Sequence, residues 1–197
     1  MSVWVFGYGS LLWYQDFHHI KKLSGVVKGY SRRFWQHSPD HRGTPEKPGR
    51  TVTLVPDEQG KCWGVAYEVP EESVKATRKY LDEREKAGYS RVSVTFYPDT
   101  PGEPSFDVEV YLNIQDNEHY AGDSQNDEIA STILYSHGAS GSNLEYLLRL
   151  ADILHKQAPH SPDPHVYDLE KRVLHLSEKF NEGREVLKKL GYIRFEE

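Results

Sequence analysis

Cysteine is almost absent: Cys62 is the only one in 197 residues. An internal disulfide is therefore impossible, and a reducing compartment, the cytosol, is the expected location. No stretch approaches the ~20 apolar residues that a membrane helix needs. The opening MSVWVFGYGSLLW has neither a basic segment nor a small-residue cleavage site, so no signal peptide is expected. Internal repeats and low-complexity tracts are missing too. Basic residues are in deficit, with 24 Lys and Arg against 30 Asp and Glu and a formal net charge of −6. What is plentiful is aromatic surface: 13 Tyr, 7 Phe and 4 Trp make up 12% of the chain. That excludes a disordered polymer, which is poor in aromatics. The length suits one domain, or one domain with a helical appendage.

Charge is unevenly spread. Residues 21–50 contain Lys21, Lys22, Lys28, Arg32, Arg33, Arg42, Lys47 and Arg50 against only Asp40 and Glu46. Such an island can steer a small anion, or it can be an ordinary solvated face of strands and loops.

The first half of the chain reads as strands. Val3–Gly7, Val26–Phe34, Thr51–Val55, Cys62–Val69, Tyr89–Tyr97 and Phe106–Ile114 are short, rich in β-branched and aromatic residues, and bounded by turn formers. The second half reads as helices. Ser142-Asn-Leu-Glu145 is a capping box that opens onto Leu144, Leu147, Leu148, Ala151 and Leu154. Asp163-Pro164 starts another, with Val166, Leu169, Val173, Leu176 and Phe180 on its inner face. Residues 158–164 hold three prolines and read as a linker. Strands followed by helices give an α+β class, with a small, strongly curved or barrel-like, mostly antiparallel sheet. The expected division is a catalytic domain over 1–157 and a helical extension over 158–197.

One helix interrupts the strands, from Pro70 to Ala87 with Gly88 as its stop. Val74, Thr77, Arg78, Leu81 and Glu85 share one face, and at about 100° per residue Glu85 lies near the centre of that stripe. Glu83 projects the opposite way. A carboxylate on the core side needs an explanation: a salt bridge to an arginine, a helix that drifts out of contact with the core, or a general acid/base whose pKa is raised by partial burial. The other feature is the strand end Val5-Phe6-Gly7-Tyr8-Gly9-Ser10-Leu11. Two glycines there let backbone amides approach a ligand closely, and a plain glycine turn is the alternative. The string is neither a phosphate-binding loop nor a nucleophile elbow.

Taken in order, VFGYGSL, Tyr30-Ser-Arg-Arg-Phe-Trp-Gln36, Asp40-His-Arg-Gly43, Pro48-Gly-Arg50, Trp63-Gly-Val-Ala-Tyr67, Tyr80-Leu-Asp82 with Arg84-Glu85, and Gly141 through Leu147 resemble the ChaC family. Its members are the glutathione-specific γ-glutamylcyclotransferases, and the short second branch is the expected relative. The resemblance implies a small barrel-like sheet with packed helices. It also implies that the stretch Val5, Phe6, Gly7, Tyr8, Gly9, Ser10 and Leu11 holds the γ-glutamyl group, and that Glu85 is catalytic. Glutathione is then the expected small-molecule partner. Arg42, which offers a fork to a carboxylate, and Tyr146, in the first turns of the capped helix, are candidate substrate contacts or else structural groups.

The remaining residues point elsewhere only faintly. His37 and His41 are four apart, but Pro39 makes a loop the expectation rather than a metal-binding helix. No metal, cofactor, membrane or nucleic-acid partner is expected. A rival reading takes Tyr30, Arg32, Arg33, Phe34 and Trp35 as a stacking platform for single-stranded nucleic acid. Another keeps the fold but makes it a protein-binding module without catalysis.

Overall fold

The computed structural model describes residues 1–84, 89–113 and 117–193. Glu85, Gly88 and Ile114, on which expectations above rest, lie outside the described residues.

Five strands form a closed barrel: β1 (Val3–Gly7), β2 (Lys21–Ser38), β3 (Gly49–Val69), β4 (Tyr89–Pro98) and β5 (Phe106–Asn113), in the order β1-β3-β2-β4-β5. β1 runs antiparallel to β3, with Val5 opposite Tyr67, and parallel to β5 at Glu109. β4 is antiparallel to β5, with Val92 opposite Val110. The helices are α1 (Val74–Arg84), α2 (Asn126–Tyr135), α3 (Asn143–Gln157), α4 (Pro164–Phe180) and α5 (Arg184–Lys189). The α+β class with a barrel-like sheet is what forms. No helix among the described residues is long and apolar enough to cross a membrane.

Several local expectations need correction. Thr51–Val55 and Cys62–Val69 are parts of one 21-residue strand, β3. The stretch between them, Pro56 to Lys61, has the composition of a turn but stays extended. There the Asp57 carboxylate accepts the Ser31 hydroxyl hydrogen bond, and a Cβ on Gly60 would come within 2.5 Å of the Tyr30 backbone. Glycine is present because two backbones nearly touch. His37 lies in β2 rather than in a loop. Phe180 is exposed instead of inward, because its place at the end of α4 carries it off the packed face. Helix α2 falls in the half that reads as helices, but the sequence reading assigns it neither a start nor an inner face.

The chain divides into two compact units, residues 1–32 with 53–120, and residues 33–52 with 121–197. In the first, Val5, Leu11, Val69, Leu81 and Tyr111 form one buried cluster, bordered by Phe17, Val74 and Tyr80. Burying a leucine such as Leu81 contributes roughly 1.5–3 kcal/mol. The same cluster thus fastens the end of β1, the turn after it and α1. In the second unit, helices α2, α3 and α4 bury Ile129, Ile133, Leu147, Leu154, Leu169 and Val173. Ser142 caps α3 by accepting from the Glu145 amide, and Asp163 caps α4 by accepting from Val166. Both were legible as capping sequences.

Candidate active site

Helix α1 presents Thr77 and Leu81 inward, as its spacing predicts. Glu83 projects into solvent, its side chain 62% exposed and 4.0 Å from Lys79 one turn earlier. Arg78 donates to both carboxylate oxygens of Glu109 on β5, a hydrogen-bonded pairing that holds its guanidinium above the usual basicity. Tyr111 donates its hydroxyl to the Asp82 carboxylate at 2.8 Å. Burial first, then that bond, push the Tyr111 phenol above its ordinary range. Two side chains one turn apart therefore clamp α1 to β5.

The last residue of α1 reaches elsewhere. Arg84 donates from Nη2 to the Ser10 hydroxyl at 2.7 Å. From Nη1 it donates to the Tyr80 hydroxyl at 2.8 Å and the Tyr14 carbonyl at 3.3 Å. Its guanidinium also lies over the rings of Tyr14 and Tyr80, at 5.1 and 6.0 Å. Two of its partners come from the segment that follows β1, and the third, Tyr80, lies one turn earlier on α1.

That turn is held from behind. Gly7 ends β1, and residues Ser10–Leu12 form a single 3-10 turn. The carbonyls of Tyr8, Gly9, Ser10 and Leu11 all have donors. Arg32 Nε donates to Tyr8 O at 2.8 Å, the Leu12 amide to Gly9 O and the Tyr14 amide to Ser10 O. Tyr67 donates its hydroxyl to Leu11 O at 2.8 Å. In a trans peptide the carbonyl and the following amide point in opposite directions. Fixing these carbonyls therefore turns the amides of Gly9, Ser10 and Leu11 toward the other side of the turn, a set of backbone donors suited to an oxyanion or carboxylate. Burial pushes the Tyr67 phenol up to about 12, so this donor keeps its proton throughout the neutral range. A Cβ on Gly7 would lie 2.8 Å from Leu11 Cβ and 3.2 Å from the Tyr67 ring, which explains glycine at that place. Val5 and Phe6 bury their side chains in the core, leaving only backbone for any ligand.

Arg42 and Tyr146 belong to the second unit. Arg42 is 9% exposed, donates to Ser142 O at 3.1 Å, and sits 5.6 Å above the Tyr146 ring. Tyr146 is buried, edge-on to Phe34 at 5.9 Å. Close by, Asn143 accepts from the Arg50 amide at 2.6 Å and donates to the Arg50 carbonyl at 2.7 Å. Its side-chain amide thus pairs with a backbone as a neighbouring strand would.

The basic island is not simply a solvated face. Arg32, Arg42 and Arg50 are all buried. Arg50 donates to Phe34 O and to Ser124 Oγ, and burial lowers its pKa despite Glu128. Arg32 and Phe34, at 2% and 0% exposure, are unable to serve in a stacking platform. Sequence reasoning missed Arg32, Tyr67 and Arg84 as supports of the turn. For Arg84 the available signal was its spacing of four from Tyr80 on one helix.

Residues 3–176 match the family model described as ChaC-like protein. The chain belongs to the ChaC family. A Danio rerio protein named glutathione-specific gamma-glutamylcyclotransferase 1 is 42% identical over 175 residues, covering 88% of this chain and 89% of the fish protein. The Homo sapiens protein of the same name is 46% identical over 168 residues, or 84% and 75% of the two chains. Among solved structures, a γ-glutamyl cyclotransferase specific to glutathione from yeast superposes with a TM-score of 0.83 at 32% identity. It covers 88% of this chain and 96% of the yeast chain.

Proposed function

We propose that this ChaC-family chain cleaves the γ-glutamyl amide of glutathione by intramolecular cyclisation, releasing 5-oxoproline and cysteinylglycine. The observation that carries the reading is the Arg84–Ser10 hydrogen bond. It ties the residue next to Glu85 in the chain to the glycine turn of the family motif.

The chemistry asks little of an enzyme beyond positioning and proton transfer. The substrate's α-nitrogen attacks its own γ-carbonyl carbon and closes a five-membered lactam. The bond to the cysteinyl nitrogen breaks, and no water is consumed. Intramolecular attack supplies much of the entropic advantage once the substrate is folded into its reactive shape. The α-ammonium must lose a proton before attack, and the departing amine must gain one. One carboxylate can do both in turn, and Glu85 is the proposed carrier. Glu83, solvated and beside Lys79, is a poor one. The Gly7–Leu11 amides are proposed to hold the γ-glutamyl group. Neither nucleophile nor cofactor is demanded by this route. A lone cysteine and a thiol substrate suit a reducing compartment, and the cytosol is the proposed location. Incubation of the purified chain with reduced glutathione, with 5-oxoproline as the readout, tests the reading.

A further inference from the structure

We propose that Tyr67 is a positioning residue for substrate binding: its hydroxyl, acting through two peptide units, sets the direction in which the Ser10 amide meets the γ-glutamyl group. This rests on the reading of the glycine turn as the substrate site. Tyr67 stands on β3, opposite Val5 of β1, so its ring is carried by the barrel and not by the turn. Phe17 and His19 meet that ring edge-on, with centroids 5.8 and 5.1 Å away, which fixes where its hydroxyl oxygen lies. The hydroxyl donates to Leu11 O at 2.8 Å. The Leu11 carbonyl and the Leu12 amide belong to one planar peptide unit, and the Leu12 amide donates to Gly9 O at 3.0 Å. The Gly9 carbonyl shares its own plane with the Ser10 amide. Rotation of the first unit is therefore passed to the second. A single 3-10 turn closes through the Leu12–Gly9 bond alone, and Leu11 O takes no part in that closure. It nevertheless receives a second donor, the side-chain amide of Gln15, and the same side chain hydrogen-bonds the Tyr67 hydroxyl. Two donors occupy both lone pairs of one carbonyl and hold the plane of its peptide.

The test compares Tyr67→Phe, Gln15→Met and Tyr192→Phe with the unaltered chain, measuring kcat and KM for glutathione and the urea midpoint of unfolding. Tyr192→Phe is the control, because it also deletes a donating hydroxyl, here from the Glu170 carboxylate at 2.8 Å in the second unit. Tyr67→Phe should raise KM by roughly five- to twentyfold, with kcat changed by no more than about threefold. Gln15→Met keeps the length but loses the second donor, and should raise KM by about threefold or more. Tyr192→Phe should lower the urea midpoint and leave KM within about twofold. A KM within twofold of the original in Tyr67→Phe overturns the proposal. So does a lowered kcat with KM kept, which would move the effect of the hydroxyl from substrate binding to the chemical step. An equal rise of KM in Tyr192→Phe overturns it too, by making the rise a consequence of lost stability. Should Tyr67→Phe fail to fold, Gln15→Met decides, and an unchanged KM there overturns the proposal. Gly9→Val is assayed alongside. A normal KM in Gly9→Val brings down the reading of the turn as the substrate site, whereas a raised one beside a normal KM in Tyr67→Phe brings down the positioning role alone.

Discussion

Arg84 Nη2 stands 2.7 Å from the Ser10 hydroxyl oxygen, joining the final residue of α1 to the first residue of the turn that follows the two glycines. The two positions are 74 apart in sequence, yet they belong to the two motifs that looked most distinctive in it. A salt bridge to an arginine was one explanation for a carboxylate on the inner stripe of α1. Arg78, the arginine of that stripe, pairs with Glu109.

The two carboxylates near the end of α1 should separate cleanly. Glu85→Gln keeps shape but cannot shuttle a proton, so turnover should fall by about 10²- to 10⁴-fold. Glutathione binding should persist, because it is assigned to the turn. Glu83→Gln should change activity by no more than about twofold, as substitutions of solvated groups usually do. Calorimetric binding and steady-state rates on both variants check this. The reverse outcome would mean that the helix phase at residue 85 is misjudged.

The glycine turn should be intolerant of side chains. Gly7→Ala drives a methyl group against Leu11 and Tyr67, so it should lower stability by roughly 1–3 kcal/mol and weaken glutathione binding. Gly9→Val should weaken binding with the fold largely kept. Steric approach to the ligand is the reason, because φ at Gly9 is −131°, outside the left-handed region. Normal glutathione affinity in both variants would reduce the motif to a plain turn.

Tyr67 gives a pH dependence whose sign follows from its burial. Its folded-state pKa is raised to about 12 above an unfolded value near 10. The folded chain therefore binds more protons between these limits, so stability is full and constant below about pH 10 and falls as pH rises from about 10 to 12. Tyr67→Phe should remove that part of the alkaline loss. At neutral pH it should cost about 1 kcal/mol, because the Leu11 carbonyl loses a donor. Urea unfolding at pH 7, 9 and 11 checks both statements.

Asn143→Ala should destabilise the second unit by about 2–4 kcal/mol, because it strands a buried amide and a buried carbonyl of Arg50 together. Asn143→Asp should be nearly as harmful, since it keeps the acceptor but loses the donor. Denaturant unfolding of the two variants measures it.

Much of the architecture was legible because local signals agreed with the fold. The Ser142 and Asp163 caps mark α3 and α4, and the strand expected from Phe106 onward forms β5. Helix α2 escaped notice because its first turn is polar, although Ile129, Ala130, Ile133 and Leu134 repeat at helical spacing. The site was harder to read from side-chain type alone. Arg32 looked like one more surface cation, yet it is 2% exposed and anchors the Tyr8 carbonyl. A buried arginine that serves backbone carbonyls leaves no periodic trace, since its partners come from distant segments. Arg84 shows the same limit in part, because two of its acceptors, on Ser10 and Tyr14, lie 70 residues upstream or more, and Tyr80 alone is local.

Substrate choice should favour glutathione over γ-glutamyl amino acids that lack the second peptide residue, by about tenfold or more in kcat/KM. Parallel assays at subsaturating concentrations test this, and equal rates would remove the specificity while leaving the chemistry intact.

The most direct measurement follows the fate of the γ-glutamyl group. The purified chain is incubated with reduced glutathione and the products are resolved by mass spectrometry. The cyclisation account predicts 5-oxoproline and cysteinylglycine in equal amounts, with production lost in Glu85→Gln. Free glutamate in place of 5-oxoproline would mean attack by water, and no release at all would mean no catalysis on this substrate. Either result contradicts the account.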